Sequence, residues 1–261
     1  MAFYEFMADG PVTARVRITG GSCAVRAGDA PGVTVEVAPA VSWRSGDRKA
    51  AESTEVSYHN GVLSVDRGQP GDRLKGRIRL SVTVPAGSAL EYASDSADLV
   101  SHGPLAALVA DTGSGGVEAD SVIGDVHLDL ASGDTRLGSV GGSLTFATRS
   151  GGMRVAHAGG PVSGKSASGD MRLGTAEREV RVETSSGDVR IETVRGGLVQ
   201  ATTSSGDVSV GVARGMGVRT SLRTRSGDRH GDLVDGAPSE GGGEVIADIT
   251  TASGDITLRR A

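Results

Sequence analysis

The chain of 261 residues has few of the cysteines that crosslink a protein and few of the aromatic residues that fill a wide core. Cys23 is its only cysteine, which excludes an intramolecular disulfide and a zinc site built from several cysteines. Aromatic residues make up only 3% of the chain, and no run of about 18 apolar residues is available to span a membrane. Aliphatic side chains must therefore form the core, and that core must be thin.

A strong excess of one charge is also missing. The chain has 27 lysines and arginines against 32 aspartates and glutamates, a net charge of −5, so we expect no general binding to nucleic acid. The first residues, MAFYEFMADGPVTARV, lack the basic region and the apolar run of a secretory signal peptide. The sequence thus predicts a cytoplasmic protein with no membrane span.

Glycine is abundant, with 41 residues, and much of it lies in a repeated Ser-Gly-Asp motif. Serines 96, 114, 132, 150, 168 and 186 are each 18 residues apart, and the later steps are longer. The complete motifs are Ser132-Gly133-Asp134, Ser168-Gly169-Asp170, Ser186-Gly187-Asp188, Ser205-Gly206-Asp207, Ser226-Gly227-Asp228 and Ser253-Gly254-Asp255. A period held over consecutive repeats indicates a solenoid.

Apolar residues follow the same period, at the third, fifth, twelfth and fourteenth positions after each serine. Alternation of this kind is typical of short strands with one face turned inward. Half-repeats of about nine residues are too short for a crossover helix, so equivalent strands must pair in parallel, one coil above the next. The predicted fold is all-β, a single-stranded parallel β-helix (β-solenoid) over residues 93–261 with 18-residue coils about 4.8 Å apart.

Residues 1–92 lack the repeat but alternate like strands, with a hairpin turn at Asn60-Gly61 and a loop or short helix over 39–54. They are predicted to form an all-β N-terminal cap that is continuous with the solenoid. Residues 228–244 break the period with glycine, proline and acids. This insertion is predicted to be a surface loop that folds over the last coil.

The Ser-Gly-Asp motif has a structural and a metal-binding interpretation. Glycine adopts positive φ angles without strain, and serine and aspartate bond nearby backbone groups, which favours tight turns. Alternatively, Asp134, Asp170, Asp188 and Asp207 would form a ladder of carboxylates for Ca²⁺. Gly116 and Gly152 interrupt that ladder, so we predict that the motif holds turns and binds no metal.

No catalytic motif stands out: the histidines are scattered, and neither H-E-x-x-H nor a phosphate-binding P-loop occurs. Arg219, Arg223 and Arg225 alternate with inward residues and Arg229 follows, so they are predicted to line one outer strip. The strip would suit a phosphate or an acidic partner, although such arginines more often pair with nearby acids on a solvated face. We therefore predict no enzyme and no cofactor, with a ligand-binding or carbohydrate-active β-helix that uses Arg219–Arg229 as an alternative.

The repeated unit A/T-S-G-D-V/M-x-V/L/I and the stretch VTVPAGSAL at 82–90 resemble a bacterial β-strand-repeat family. The family is domain of unknown function 4097, a group of candidate adhesins related to the toastrack domains. The resemblance extends from VTARVRITGG near the start to the terminal SGDITLRRA. It implies a single-stranded, right-handed β-helix with no established catalytic residues, and an interaction role in envelope-stress signalling.

We therefore expect a non-catalytic interaction or scaffold module that binds a protein partner. A secreted or surface adhesin is the alternative. The sequence indicates neither the identity of the partner nor the oligomeric state.

Overall fold

The computed structural model describes residues 1–29, 31–68, 76–231 and 243–261. These residues are mostly β-strand, and the only helix among them is α1 (Ser45–Glu52). None of the described helices is long and apolar enough to cross a membrane. Two compact units divide the chain, Met1–Asp134 and Thr135–Ala261.

The described residues of the first unit contain α1 and ten strands. They are β1 (Ala2–Met7), β2 (Thr13–Gly28), β3 (Gly32–Pro39), β4 (Glu55–His59), β5 (Val62–Asp66), β6 (Ile78–Pro85), β7 (Ala89–Leu105), β8 (Ala107–Thr112), β9 (Val117–Val122) and β10 (Val126–Ser132).

The second unit contains thirteen strands within its described residues. They are β11 (Thr135–Val140), β12 (Leu144–Ser150), β13 (Met153–Ala158), β14 (Val162–Ser168), β15 (Met171–Ala176), β16 (Val180–Ser186), β17 (Val189–Val194), β18 (Gly197–Ser205), β19 (Val208–Val212), β20 (Gly217–Ser226), β21 (Arg229–Gly231), β22 (Glu244–Ser253) and β23 (Ile256–Arg260).

Parallel pairing at the period of the repeat builds the second unit. Met153 of β13 lies opposite Met171 of β15, and Val162 of β14 lies opposite Val180 of β16. Each coil thus contributes one strand before and one strand after the Ser-Gly-Asp turn. The predicted parallel β-solenoid is confirmed, whereas its right-handedness stays a prediction.

The inward columns predicted from the repeat are buried, as Leu137, Leu173 and Ile191 show. A further buried column, eight residues after each serine, was missed. Its members in the second unit are Val140, Ala158, Ala176 and Val194, and Val122 has the equivalent position in the first unit. Val212, seven residues after Ser205, lies opposite Val194 and is also buried. Two consecutive residues that are not buried precede Val140, Ala158, Ala176 and Val194, as Gly174-Thr175 do, so the chain turns a corner there and the alternation breaks.

One residue is added to the coil after Gly196-Gly197, as the sequence indicates. Val199, and not Leu198, lies opposite Val180, and Leu198 is only half buried. The core residues that follow keep their register with β16, because the extra residue precedes Val199, where the pairing of β18 with β16 begins.

The coils at the C-terminal end do not stack in the order of the sequence. β22 pairs with β18 on one side and with β20 on the other, and β23 lies in the same way between β19 and β21. The final strands therefore form an internal coil, and β20 with β21 lies beyond it. The expectation that each coil follows the previous one is wrong here, because equivalent strands with the same inward pattern can exchange places.

A similar exchange occurs in the first unit. On one side β2 pairs in parallel with β5 and β6, and on the other side it pairs in parallel with β7. All three partners follow β2 in the chain, so the earliest of these strands lies between later ones. Antiparallel strands complete this end, with β1 on β3, β3 on β6, and β4 on β5. The residue 92 boundary falls inside β7, so the division into cap and solenoid stays a prediction. Residues 232–242 of the predicted insertion lie outside the described residues.

Candidate functional site

The Ser-Gly-Asp turns require glycine at their centre. Gly169 and Gly187 have φ angles of 132° and 135°, a region that side chains strain. A Cβ atom at Gly187 would also lie 2.4 Å from the carbonyl oxygen of Gly169 in the neighbouring coil. Successive turns thus pack backbone on backbone, which no larger residue allows.

The aspartates of these turns bond the next coil. Asp188 Oδ1 accepts a hydrogen bond from the backbone N–H of Asp207 at 2.8 Å, and Asp170 Oδ1 accepts one from the N–H of Asp188 at 3.2 Å. In the first unit, the N–H of Gly116 donates to Asp98 Oδ1 at 2.9 Å. The carboxylates therefore have a structural task, which explains the recurrence of the motif.

The serines of the turns take part in the same stacking. The N–H of Gly169 donates to the carbonyl oxygen of Ser186, and the N–H of Gly206 donates to that of Ser253. In the described ranges no group of three or more histidines, cysteines or acids is placed to hold a metal ion. That the turns bind no metal stays a prediction, which a calcium experiment must test.

The predicted arginine strip is largely neutralised by its neighbours. Arg219 Nη2 lies 3.0 Å from Glu244 Oε1, and Arg223 Nη1 lies 3.4 Å from Asp248 Oδ1. Both acids belong to β22, which pairs with β20. Arg225 is exposed and has no ion pair or hydrogen bond with any described residue.

Arg229 is exposed, but it lies apart from the outer positions of the other three arginines, and that all four form one ligand site stays a prediction. It lies opposite Ile256 of β23, at a position that is inward in the other coils, and its Nη1 donates to the carbonyl oxygen of Leu222 at 3.3 Å. The Ser226-Gly227-Asp228 turn changes the face to which the following residues point. The strip is therefore limited to Arg219, Arg223 and Arg225.

A shallow depression of about 280 Å³ lies beside Arg223 and Arg225. Thr203 lines it, is 3% exposed, and has no hydrogen-bond partner for its Oγ1 among the described residues. The other lining residues are Thr224, Thr250, Thr251 and Ala252. Hydroxyl groups beside two guanidinium groups could hold a small anion.

A second set of arginines, which sequence reasoning missed, forms a straight row on β11, β13, β15 and β17. We call it the arginine row; it consists of Arg136, Arg154, Arg172 and Arg190. Arg136 lies opposite Arg154, Arg154 opposite Arg172, and Arg172 opposite Arg190, all exposed. Neighbouring members are thus one strand spacing apart, about 4.8 Å between backbones.

Only one end of the arginine row is neutralised by an ion pair. Arg190 bonds Glu192, whose Oε2 also lies 2.7 Å from Arg259 Nη2. The hydrogen bond from Arg190 lowers the pKa of the Glu192 carboxyl, and Arg259 contributes less. Arg136, Arg154 and Arg172 make no ion pair or hydrogen bond with any residue in the described ranges.

The difference between these arginines follows from the residue two places along each strand. Glu192 stands there for Arg190, whereas the other three arginines are followed by Gly138, Ala156 and Gly174. A Cβ atom at Gly174 would lie 2.3 Å from the carbonyl oxygen of Ala156, so a side chain is excluded there. An arginine four residues after the serine in four consecutive repeats was the signal that would have found the row.

Burial keeps the Cys23 thiol and the Tyr92 hydroxyl out of contact with solvent. Burial raises the pKa of the Cys23 thiol to about 12, so the thiol stays protonated. Burial also raises the pKa of Tyr92, whose hydroxyl donates to the carbonyl oxygen of Ala97 at 2.7 Å. Both residues are core elements of the first unit, as expected for a small buried cysteine.

The sequence matches a known protein family. The profile of the family Toastrack DUF4097 matches residues 45–260. The chain belongs to the Toastrack family. This membership agrees with the parallel solenoid and with the expectation drawn from the repeats. No curated protein matches this Toastrack chain.

Solved structures are similar to the Toastrack chain at low identity and low TM-score. Two candidate adhesins are similar, one from Parabacteroides distasonis and one from Bacteroides fragilis. The first is 11% identical over 98% of this chain and 96% of that chain, with a TM-score of 0.46. The second is 12% identical over 100% and 96%, with a TM-score of 0.43.

A candidate lipid-binding protein from Parabacteroides distasonis is similar to the same degree. It is 12% identical over 98% of this chain and 96% of that chain, with a TM-score of 0.48. At such identities and scores, the likeness says nothing about what the present Toastrack chain binds.

Proposed function

We propose that this Toastrack chain is a non-catalytic interaction module that binds its partner through an outer face of the stacked coils. The arginine row carries the proposal, because Arg136, Arg154 and Arg172 are exposed, in register and without an ion pair in the described ranges. Charged side chains of this kind attract a complementary partner and set its orientation. A regular row repeats the same contact from coil to coil.

The absence of catalysis is part of the proposal. Within the described residues, the ionisable groups with clearly shifted pKa values are Cys23 and Tyr92 in the core and the Arg190–Glu192 ion pair. Perturbed groups cluster at catalytic sites, and these groups are either sealed from solvent or held by each other.

Where the module acts is a finer part of the proposal. A cytoplasmic module linked to envelope-stress signalling is the first possibility, and a secreted or surface adhesin is the second. The binding face is the same in both cases, so the compartment is tested separately, by cell fractionation of the native host with detection of the full chain. Recovery only at the cell surface would contradict a cytoplasmic role.

Capture of partners from the native host tests the binding face. The wild-type chain is compared with the double variant Arg154→Gln/Arg172→Gln and with a matched control, Arg149→Gln/Arg225→Gln. The control also removes two exposed arginines without partners among the described residues, but outside the row. We expect the row variant to lose the partner that both other proteins capture. Equal capture by all three proteins would contradict the proposal.

A second candidate function is the binding of a small anionic ligand at the strip of Arg219, Arg223 and Arg225. The unpartnered Oγ1 of Thr203 in the adjoining depression favours it. The same control variant decides between the two candidates, because it removes Arg225. Loss of binding in Arg149→Gln/Arg225→Gln alone, with Arg149→Gln unaffected, would favour the strip.

A further inference from the structure

We propose that the arginine row binds a linear acidic polysaccharide, a chain of sugars that carries carboxylate or sulfate groups. This inference rests on the proposed function and names the class of partner for the same face. Three observations on the second unit support it: the unpaired arginines, the carboxylates on one side of them, and the small and hydroxyl-bearing residues on the other.

The arginines supply the anion-binding groups. Arg136, Arg154 and Arg172 present guanidinium groups that bond carboxylate or sulfate oxygens in pairs. Their backbones are about 4.8 Å apart along the coil axis, so the row runs perpendicular to the strands. A polymer with charges at intervals along its length can contact several of these groups at once, and linked contacts raise the overall affinity.

Carboxylates stand two residues before Arg172 and Arg190, whereas Gly152 stands in that place before Arg154. Asp170 and Asp188 each use Oδ1 for a backbone N–H of the next coil and are exposed. Their Oδ2 atoms remain available as acceptors. A ligand that meets arginines and aspartates together must carry anions and hydrogen-bond donors, and a polysaccharide has both carboxylates and hydroxyl groups.

On the other side of the arginine row, the side chains are small or polar. Gly138, Ala156 and Gly174 leave space beside their arginines, and a second in-register row follows at the corner of each coil. It consists of Ser139, His157, Thr175 and Thr193. Because the residues between the two rows are small, a polysaccharide chain can approach the backbone there, with hydroxyl and imidazole groups along one edge.

The same face argues against other polyanions. Its exposed positions on β11, β13 and β15 carry no phenylalanine, tyrosine, tryptophan or large aliphatic residue. Single-stranded nucleic acids are bound by stacking on aromatic rings, and membrane surfaces by inserted apolar side chains. A phosphodiester backbone would also approach the flanking aspartates without hydrogen-bond donors for their carboxylates.

Since acidic polysaccharides are found at cell surfaces, the inference favours the surface location over the cytoplasmic one.

Direct binding of the purified full chain to defined polymers tests the inference. The probes are alginate as a polyuronate, dextran as a neutral polysaccharide, and duplex DNA as a polyphosphate, each immobilised and measured by biolayer interferometry. We expect saturable binding to alginate, none to dextran, and weaker binding to DNA. Binding should be lost at about 0.5 M NaCl, since exposed charges are screened over a few ångströms there.

Variants then locate the site. Arg154→Gln/Arg172→Gln should weaken alginate binding at least about tenfold, equivalent to about 1.4 kcal/mol. The control Arg149→Gln/Arg178→Gln removes two other exposed arginines without partners among the described residues and should change binding by less than about twofold. Ala156→Glu places a carboxylate beside Arg154, as Glu192 stands beside Arg190, and should also weaken binding. Ala156→Gln is its matched control and should bind like the wild type. Thermal melts of all four variants confirm that each is folded.

Several results would overturn the inference: no alginate binding by the folded wild-type chain, equal loss in the row and control variants, or tighter binding to DNA than to alginate. Failure of the inference is distinguishable from failure of the proposed function. If Arg154→Gln/Arg172→Gln loses a captured host protein while the wild-type chain ignores alginate, the face is right and the class of partner is wrong. If neither assay depends on the row, both are wrong.

Discussion

Asp207 Oδ1 accepts a hydrogen bond from the backbone N–H of Asp255, 2.8 Å away, although Asp255 lies 48 residues later in the chain. Asp255 Oδ1 in turn accepts the N–H of Asp228 at 2.8 Å. The ladder of turns therefore runs from 207 to 255 to 228, and the last coil of the sequence is internal in the stack. β2 occupies a comparable place between β6 and β7 in the first unit.

The order of the coils predicts losses of stability of different size for two equivalent core substitutions. Ile249 lies opposite Leu222, but Ile249 is fully buried between two coils and Leu222 is only half buried. Ile249→Asp should therefore lower the free energy of unfolding by several kcal/mol, and Leu222→Asp by about 1 kcal/mol. Urea denaturation of both variants measures the difference. A larger cost for Leu222→Asp would show that the coils stack in sequence order.

The inward columns make a second prediction. Leu144 is 1% exposed at the start of β12, so Leu144→Asp places a carboxylate in the aliphatic stack and should cost several kcal/mol. The neighbouring Thr145 is exposed, and Thr145→Asp should change stability by about 0.5 kcal/mol or less. Thermal melting compares the two. If Leu144→Asp melts like the wild type, the assignment of inward and outward positions is wrong.

Calcium distinguishes the two interpretations of the Ser-Gly-Asp turns. The Oδ1 atoms of Asp170, Asp188, Asp207 and Asp255 already accept backbone N–H groups of neighbouring coils. A turn held in this way needs no ion, so melts with millimolar Ca²⁺ and with a chelator should agree. A rise of many degrees in Tm with Ca²⁺ would show that the turns bind metal.

The Arg190–Glu192–Arg259 network has a predictable dependence on pH. Because the pKa of Glu192 is lowered in the folded chain, its stabilising effect is present above the ordinary value of 4.5 and is lost as the pH falls through the lowered value. Titration of the Glu192 carboxyl by NMR should show the low pKa. Arg190→Gln should raise it more than Arg259→Gln, since the bond from Arg190 is the larger cause. The reverse order would contradict this account.

Much of the fold is predictable because a solenoid repeats its inward pattern. Met153 and Met171 are 18 residues apart, and the period alone places them opposite each other. The column of Val140 was missed because the corner at Gly138-Ser139 breaks the alternation by which strands are recognised. The order of β18, β20 and β22 was not predictable, since all three carry the same inward pattern and any order buries it.

The candidate site, like the fold, was only partly predictable from the sequence. The arginine row could be predicted from the 18-residue spacing of Arg154 and Arg172, but the inward aliphatic pattern does not reveal it, because these arginines occupy outward positions. The pairing of Arg219 with Glu244 was not available, because it depends on β22 lying beside β20. Whether Arg219 is free or paired is thus decided by coil order, which the repeat leaves open.

Arginine-directed footprinting tests the central claim, that the chain binds through the arginine row. The full chain, with and without its captured partner, is treated with phenylglyoxal, and the modified arginines are identified by mass spectrometry. The account predicts that Arg136, Arg154 and Arg172 are protected by the partner while Arg149 and Arg225 stay reactive. Protection of Arg225 with full reactivity of Arg154 and Arg172 would contradict it.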